Sequence, residues 1–190
     1  MVTTINRKKK SINSDALYNA IFDAEFREYR GKPLIGFNRI KKRRANDGFI
    51  RTRHAPDAGS SAYGPLQITK RLMVDKMPEL MKSLSNEEKD YVKRFVEQAN
   101  KFLKYGREPN KEGYHERYDY GGKGDLTSEK DRSLYKSVGK KLIELVYKEA
   151  GNDPSRFSQI WRYGANEEEK RVDVNDPKYY KAYIESLSRG

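Results

Sequence analysis

The chain of 190 residues contains no cysteine. Disulfides and thiolate metal sites are therefore excluded, and cysteine chemistry gives no reading of compartment. Histidine is almost as scarce. His54 and His115 are the only two and lie far apart, so a His-rich metal site is not expected and no cofactor is called for. No apolar run is long enough to cross a membrane. The first residues, MVTTINRKKKSINS, are basic but lead into no apolar stretch, unlike a secretory signal peptide. Apolar residues make up only 35% of the chain, which points to a modest core under a heavily charged surface.

Positive charge is what the chain has in abundance. A formal net charge of +12 favours anionic partners: nucleic acid, acidic membranes or an anionic cell envelope. Residues 1–13 read as a flexible basic arm. Residues 14–30, SDALYNAIFDAEFREYR, read as an amphipathic helix capped by Ser14 or Asp15 and stopped by Gly31 and Pro33. On its wheel Leu17, Tyr18, Ala20, Ile21, Phe22 and Ala24 share an apolar arc, and Asn19, Asp23 and Arg27 lie opposite. Glu25 and Glu28 both fall inside the apolar arc. Desolvation and the C-terminal end of the helix dipole raise the pKa of a carboxyl placed there. Such an acid can hold a proton near neutral pH and donate it to a leaving group. An ion pair with arginine at the margin of the core would account for the same placement.

Residues 31–59 carry Pro33, Gly36, Gly48, Pro56 and Gly59 and the run Lys41-Lys42-Arg43-Arg44. They read as a long loop with one small hairpin near Phe49–Arg53, and a loop this long is often functional. Pro65 suits the first turn of a new helix running through Arg71, Leu72 and Met73. Met77, Leu80, Met81 and Leu84 suggest another short helical piece. Ser85 and Glu88 have the spacing of a capping box. The stripe Tyr91, Val92, Phe95, Val96, Ala99, Phe102 and Leu103 then predicts a helix ending near Tyr105. Residues 107–128 are polar and rich in Tyr and Gly. Tyr114, Tyr118 and Tyr120 can line a sugar or nucleotide groove or pack the loop onto the body. Thr127 or Ser128 caps a helix with the stripe Leu134, Val138, Leu142, Leu145 and Val146, closed by Gly151. Asp153-Pro154 opens a short helix with Phe157, Ile160 and Trp161. Asp176-Pro177 starts a last helix bearing Tyr179, Tyr180 and Tyr183. One mainly α domain is the simplest account.

Two segments carry a resemblance. Ile21-Phe22-Asp23-Ala24-Glu25, followed by Ser61-Ala62-Tyr63-Gly64-Pro65-Leu66-Gln67, resembles the lysozyme-like superfamily on its lytic transglycosylase and phage endolysin side. The likeness covers roughly residues 14–70, and YDYGGKG and QIWRYG are similar to later parts of phage members. It implies a lysozyme-like α+β fold, mainly α, with a small hairpin or loop region beside a cleft. Residues 14–190 would form a single catalytic domain. It favours Glu25 over Glu28, because the family's glutamate follows an aliphatic-x-x-small pattern; the family often has Ser or Gly next, where this chain has Phe26.

The implied substrate is the glycan strand of peptidoglycan, with anionic envelope polymers as further partners. Glu25 would be the catalytic acid, and Ser60, Ser61, Tyr63 and Gln67 would bind the sugar, with Tyr120 and Tyr163 further along the cleft. Glycosidases usually use two carboxylates. Asp47 and Asp57 are the candidates for a second, but both read as turn residues. A single acid suits a transglycosylase, although a muramidase on the same fold remains open. The implied site of action is the cell wall, reached by phage-type release from the cytoplasm or by delivery from a virion. The competing class is a nucleic-acid-binding protein, on the strength of charge and tyrosine content.

Overall fold

A computed structural model describes residues 12–26, 62–105, 126 and 128–163. Five helices make up most of it: α1 (Ser14–Phe26), α2 (Lys70–Ser83), α3 (Asn86–Tyr105), α4 (Glu129–Glu149) and α5 (Pro154–Tyr163). The described part is mainly α and contains no strand beyond an isolated antiparallel bridge between Tyr63 and Ile68. No helix among the described residues is long and apolar enough to cross a membrane. The basic arm up to residue 11, the 31–59 loop with its expected hairpin, residues 107–125 and the expected last helix all lie outside the described residues.

α4 is the hub, because α1, α2, α3 and α5 all pack against it. Its stripe accounts for this. Tyr135, Val138, Leu142, Ile143 and Val146 are buried, and their spacing gives the helix more than one apolar flank. α3 contributes Tyr91, Val92, Phe95 and Ala99, and α1 contributes Leu17, Tyr18, Ala20 and Ile21. Fully burying one such large side chain stabilises the fold by about 1.5–3 kcal/mol.

Local chemistry sets the helix ends. α1 is capped by Asn13 rather than by Ser14 or Asp15: the Asn13 side-chain oxygen accepts from the Ala16 N–H at 3.0 Å. The expected capping box opens α3. Ser85 Oγ accepts from the Glu88 N–H at 3.3 Å, and Glu88 Oε2 accepts from the Ser85 N–H at 2.7 Å. Ser128 caps α4, accepting from the Asp131 N–H at 3.0 Å. α4 ends through Gly151 and Asn152, both with positive φ (69° and 60°). The Asn152 N–H reaches back to the Tyr147 carbonyl at 3.0 Å, which satisfies one of the orphan carbonyls of the last turn. This corner lays α5 back on α4, with Phe157 packed on Tyr147 and stacked on Trp161.

Two expectations for α2 are corrected. The helix does not start at Pro65. Thr69 is its N-cap, with Oγ1 accepting from the Leu72 N–H at 3.1 Å, and Gly64–Gln67 form a tight turn before it. Nor is it two pieces: one helix runs from Lys70 to Ser83 with Pro78 inside it. Pro78 is exposed, so the helix bond it cannot make falls on the solvent side. Leu72, Met73, Lys76 and Leu80 hold the opposite face in the core.

Candidate functional site

The turn Ala62–Ile68 is built as a plug. Tyr63 and Ile68 exchange both backbone hydrogen bonds, each at 3.1 Å, and the Gln67 N–H closes on the Gly64 carbonyl at 2.9 Å. Every residue from Ala62 to Ile68 is buried except Gln67, which is half-exposed. Such a buried loop needs partners for its backbone polar groups. Tyr135 of α4 supplies them. Its hydroxyl donates to the Tyr63 carbonyl at 2.7 Å and accepts from the Leu66 N–H at 3.0 Å. Burial pushes the phenol well above its ordinary pKa, and the neighbouring tyrosines Tyr18 and Tyr91 act the same way. The bridge is therefore a neutral hydroxyl over the whole physiological range.

Two glycines make this approach possible. A Cβ on Gly64 would lie 2.5 Å from ring carbons of Tyr135, and its φ of +74° also belongs to glycine. A Cβ on Gly139, one turn further along α4, would lie 2.7 Å from a methyl of Leu66 and 3.7 Å from the Tyr18 ring. Leu66 of the turn, Tyr18 of α1 and Gly139 of α4 thus meet at one point. Asp15 of α1 pairs with Lys140, and Lys136 lies over the Tyr18 ring. Contacts therefore move down α4 towards Tyr135 as α1 advances towards its last turn, where Glu25 sits.

The expected site residues fare differently. Glu25 is in the last turn of α1, and its side chain lies outside the described part. Gln67 has φ +49°, and its Nε2 donates to the Gly64 carbonyl at 2.9 Å, so it braces the turn it belongs to. Tyr63, expected to bind the sugar by stacking or by a hydrogen bond, is instead a core residue with no exposed surface. Its ring packs against Phe95 and edge-on to Tyr135, and its hydroxyl donates to the Leu126 carbonyl at 3.1 Å. A ring with no exposed surface offers no face to a ligand. Tyr163 falls at the end of α5, with its side chain outside the described part. Ser60, Ser61, Tyr120, Glu28, Asp47 and Asp57 lie outside the described residues.

The two buried acids among the described residues, Glu88 and Asp131, are already engaged. Burial pushes the Glu88 carboxyl up, but hydrogen bonds from Lys141, Ser137 and the Ser85 backbone outweigh it and lower its pKa to about 2. Burial also opposes ionisation of Asp131, yet Arg94 at 2.7 Å and Ser128 hold its pKa below the usual value. Neither can deliver a proton near neutral pH. Among the described residues no group of His, Asp and Glu could hold a metal ion.

Tyr135 and Gly139 were not among the expected site residues. A glycine inside a strong helical stripe signals close packing, and Gly139 is that signal, four residues after Tyr135. No family model, curated protein or solved structure matches the chain.

Proposed function

We propose that the chain is a peptidoglycan-cleaving enzyme with a lysozyme-like α+β fold and Glu25 as its general acid. The observation that supports this reading most is the convergence at Gly139. The helix carrying Glu25 and the turn carrying Gln67 pack on the same stretch of α4. Glu25 is seven residues beyond Tyr18, or about 10 Å along the helix axis. A helix end and a Gly-containing turn anchored on one stretch of α4 are the two walls that the proposed sugar cleft requires.

Glu25 protonates the glycosidic oxygen between N-acetylmuramic acid and N-acetylglucosamine. Once deprotonated, it draws the proton from the muramic acid 6-hydroxyl, which attacks its own anomeric carbon. The leaving sugar departs with the first proton, and the product is a 1,6-anhydro end with no water consumed. Gln67, with Ser60 or Ser61, binds the sugar by hydrogen bonds. Residues 27–61, which join the two walls in sequence, hold ten Lys and Arg against three Asp and Glu. Charge of that sign favours encounter with anionic envelope polymers.

The test is clearing of purified peptidoglycan followed by turbidity. Glu25→Gln should reduce the rate by on the order of 10²–10⁴-fold, and Glu28→Gln should leave it largely intact. Mass spectrometry of the products separates anhydro ends from the reducing ends a muramidase would leave. No clearing by the wild type, together with salt-sensitive DNA binding, would favour the nucleic-acid reading instead.

A further inference from the structure

We infer that Tyr135 is the positioning residue for Gln67, and so sets the sugar-binding side of the proposed cleft. The kinetic half of this inference rests on the peptidoglycan reading; the structural half does not.

Gln67 stands in the left-handed region at φ +49°, where a residue with a Cβ is disfavoured. Such a conformation persists only when its surroundings over-determine it. Among the described residues, three constraints act on the backbone of this turn. The Tyr63–Ile68 bridge closes its ends, and the Gln67 N–H closes its loop on Gly64. The third constraint comes from outside the turn. The Tyr135 hydroxyl holds the Leu66 N–H and the Tyr63 carbonyl together, and its ring lies against Gly64. Leu66 is the residue directly before Gln67, so holding its N–H fixes the Pro65–Leu66 peptide, one residue ahead of the Leu66–Gln67 peptide whose N–H closes on Gly64. The Gln67 side chain is in turn oriented by its bond to the Gly64 carbonyl, the residue packed on the Tyr135 ring. Both the backbone and the side chain of the half-exposed residue of the plug are thus tied, through Leu66 and Gly64, to the buried phenol on α4.

Tyr135→Phe keeps the ring and removes the hydroxyl, and the effects can be read by NMR hydrogen exchange. In the wild type the Leu66 amide should exchange only on global unfolding; fast exchange there would by itself overturn the assignment. In Tyr135→Phe the Leu66 amide should exchange faster by on the order of ten-fold or more, and the Gln67 backbone shifts should leave the left-handed range. Phe157→Leu, packed on Tyr147 towards the other end of α4, serves as a control for general loosening and should change neither. Unchanged Leu66 exchange and Gln67 shifts in Tyr135→Phe overturn the inference.

The kinetic readout is a double-mutant cycle on soluble, uncrosslinked glycan strands. Gln67→Ala and Tyr135→Phe should each raise KM several-fold with kcat nearly kept. The double variant should be no worse than the worse single one, because both act on one contact. Additive increases, or an unchanged KM in Tyr135→Phe, overturn the positioning role. Failure of the wild type to cleave these strands sinks the proposed function instead, and the exchange and shift measurements then still decide what Tyr135 does.

Discussion

Two connections dock on α4 within two helical turns of each other, and they use opposite chemistry. The Tyr63–Ile68 turn arrives on one side and is held by the neutral hydroxyl of Tyr135. The corner between α2 and α3 arrives on another, where Glu88 takes hydrogen bonds from Ser137, Lys141 and the Ser85 backbone. The first sits in a dry, aromatic part of the core, where an ion would carry a heavy desolvation penalty. The second sits at the rim, where Lys141 keeps a third of its side chain in solvent and an ionised carboxylate is tolerable. The contrast shows how this highly charged chain spends its acids. Those near the described core, Glu88 and Asp131 above all, serve helix ends and inter-helix ties.

The contrast can be broken in order of severity. Gly64→Ala attacks the neutral side. The added methyl meets an aromatic ring that cannot yield, at a φ that disfavours any Cβ, so a loss of roughly 3 kcal/mol or more is expected in denaturant unfolding. A value near zero would mean that the turn does not press on Tyr135.

Glu88→Gln attacks the ionic side, with an expected loss on the order of 2 kcal/mol at neutral pH. Because the folded-state pKa is depressed from 4.5 to about 2, the carboxylate's contribution is present above the unfolded value and disappears as pH falls through the folded one. The gap between wild type and Glu88→Gln should therefore close between about pH 5 and pH 2. A gap independent of pH would contradict the ionic account. The neutral side should show no such dependence over that range, because Tyr135 stays protonated throughout.

The smallest effect belongs to Glu87, whose pair with Lys130 at 3.2 Å leaves both side chains 68% exposed. Glu87→Ala should cost under about 0.5 kcal/mol, and added salt should erase even that.

The same contrast explains what was legible in the sequence. The ionic corner could be read in advance because its core is local: Ser85 and Glu88 are three residues apart. The stripes of α3 and α4 and the start of α5 were legible for a similar reason, since one helix period carries them. In α1 the apolar arc also held, with Leu17, Ala20 and Ile21 buried and Asn19 exposed. The neutral side was not legible. Pro65 fits a helix start as well as it fits a turn, and only the bridge closed by Tyr63 and Ile68 decides between them. Tyr63 looked like a ligand-facing ring because its cover comes from Phe95, Leu126 and Tyr135, all distant in sequence. Of the candidate site, only the helix carrying Glu25 could be placed from local pattern, because Gln67 falls in the turn that Pro65 made look like a helix start. What brings them to one stretch of α4 could not, because Gly139 and Tyr135 acquire that role only through packing.

The stacking of Trp161 on Phe157 has a practical use. The chain has a single tryptophan, held 7% exposed with its ring centroid 5.5 Å from that of Phe157. Its fluorescence is therefore a local gauge of whether α5 is seated, whereas far-ultraviolet circular dichroism averages over every helix. Followed side by side during unfolding, the two signals tell whether the last described helix peels away on its own or melts with the hub it rests on.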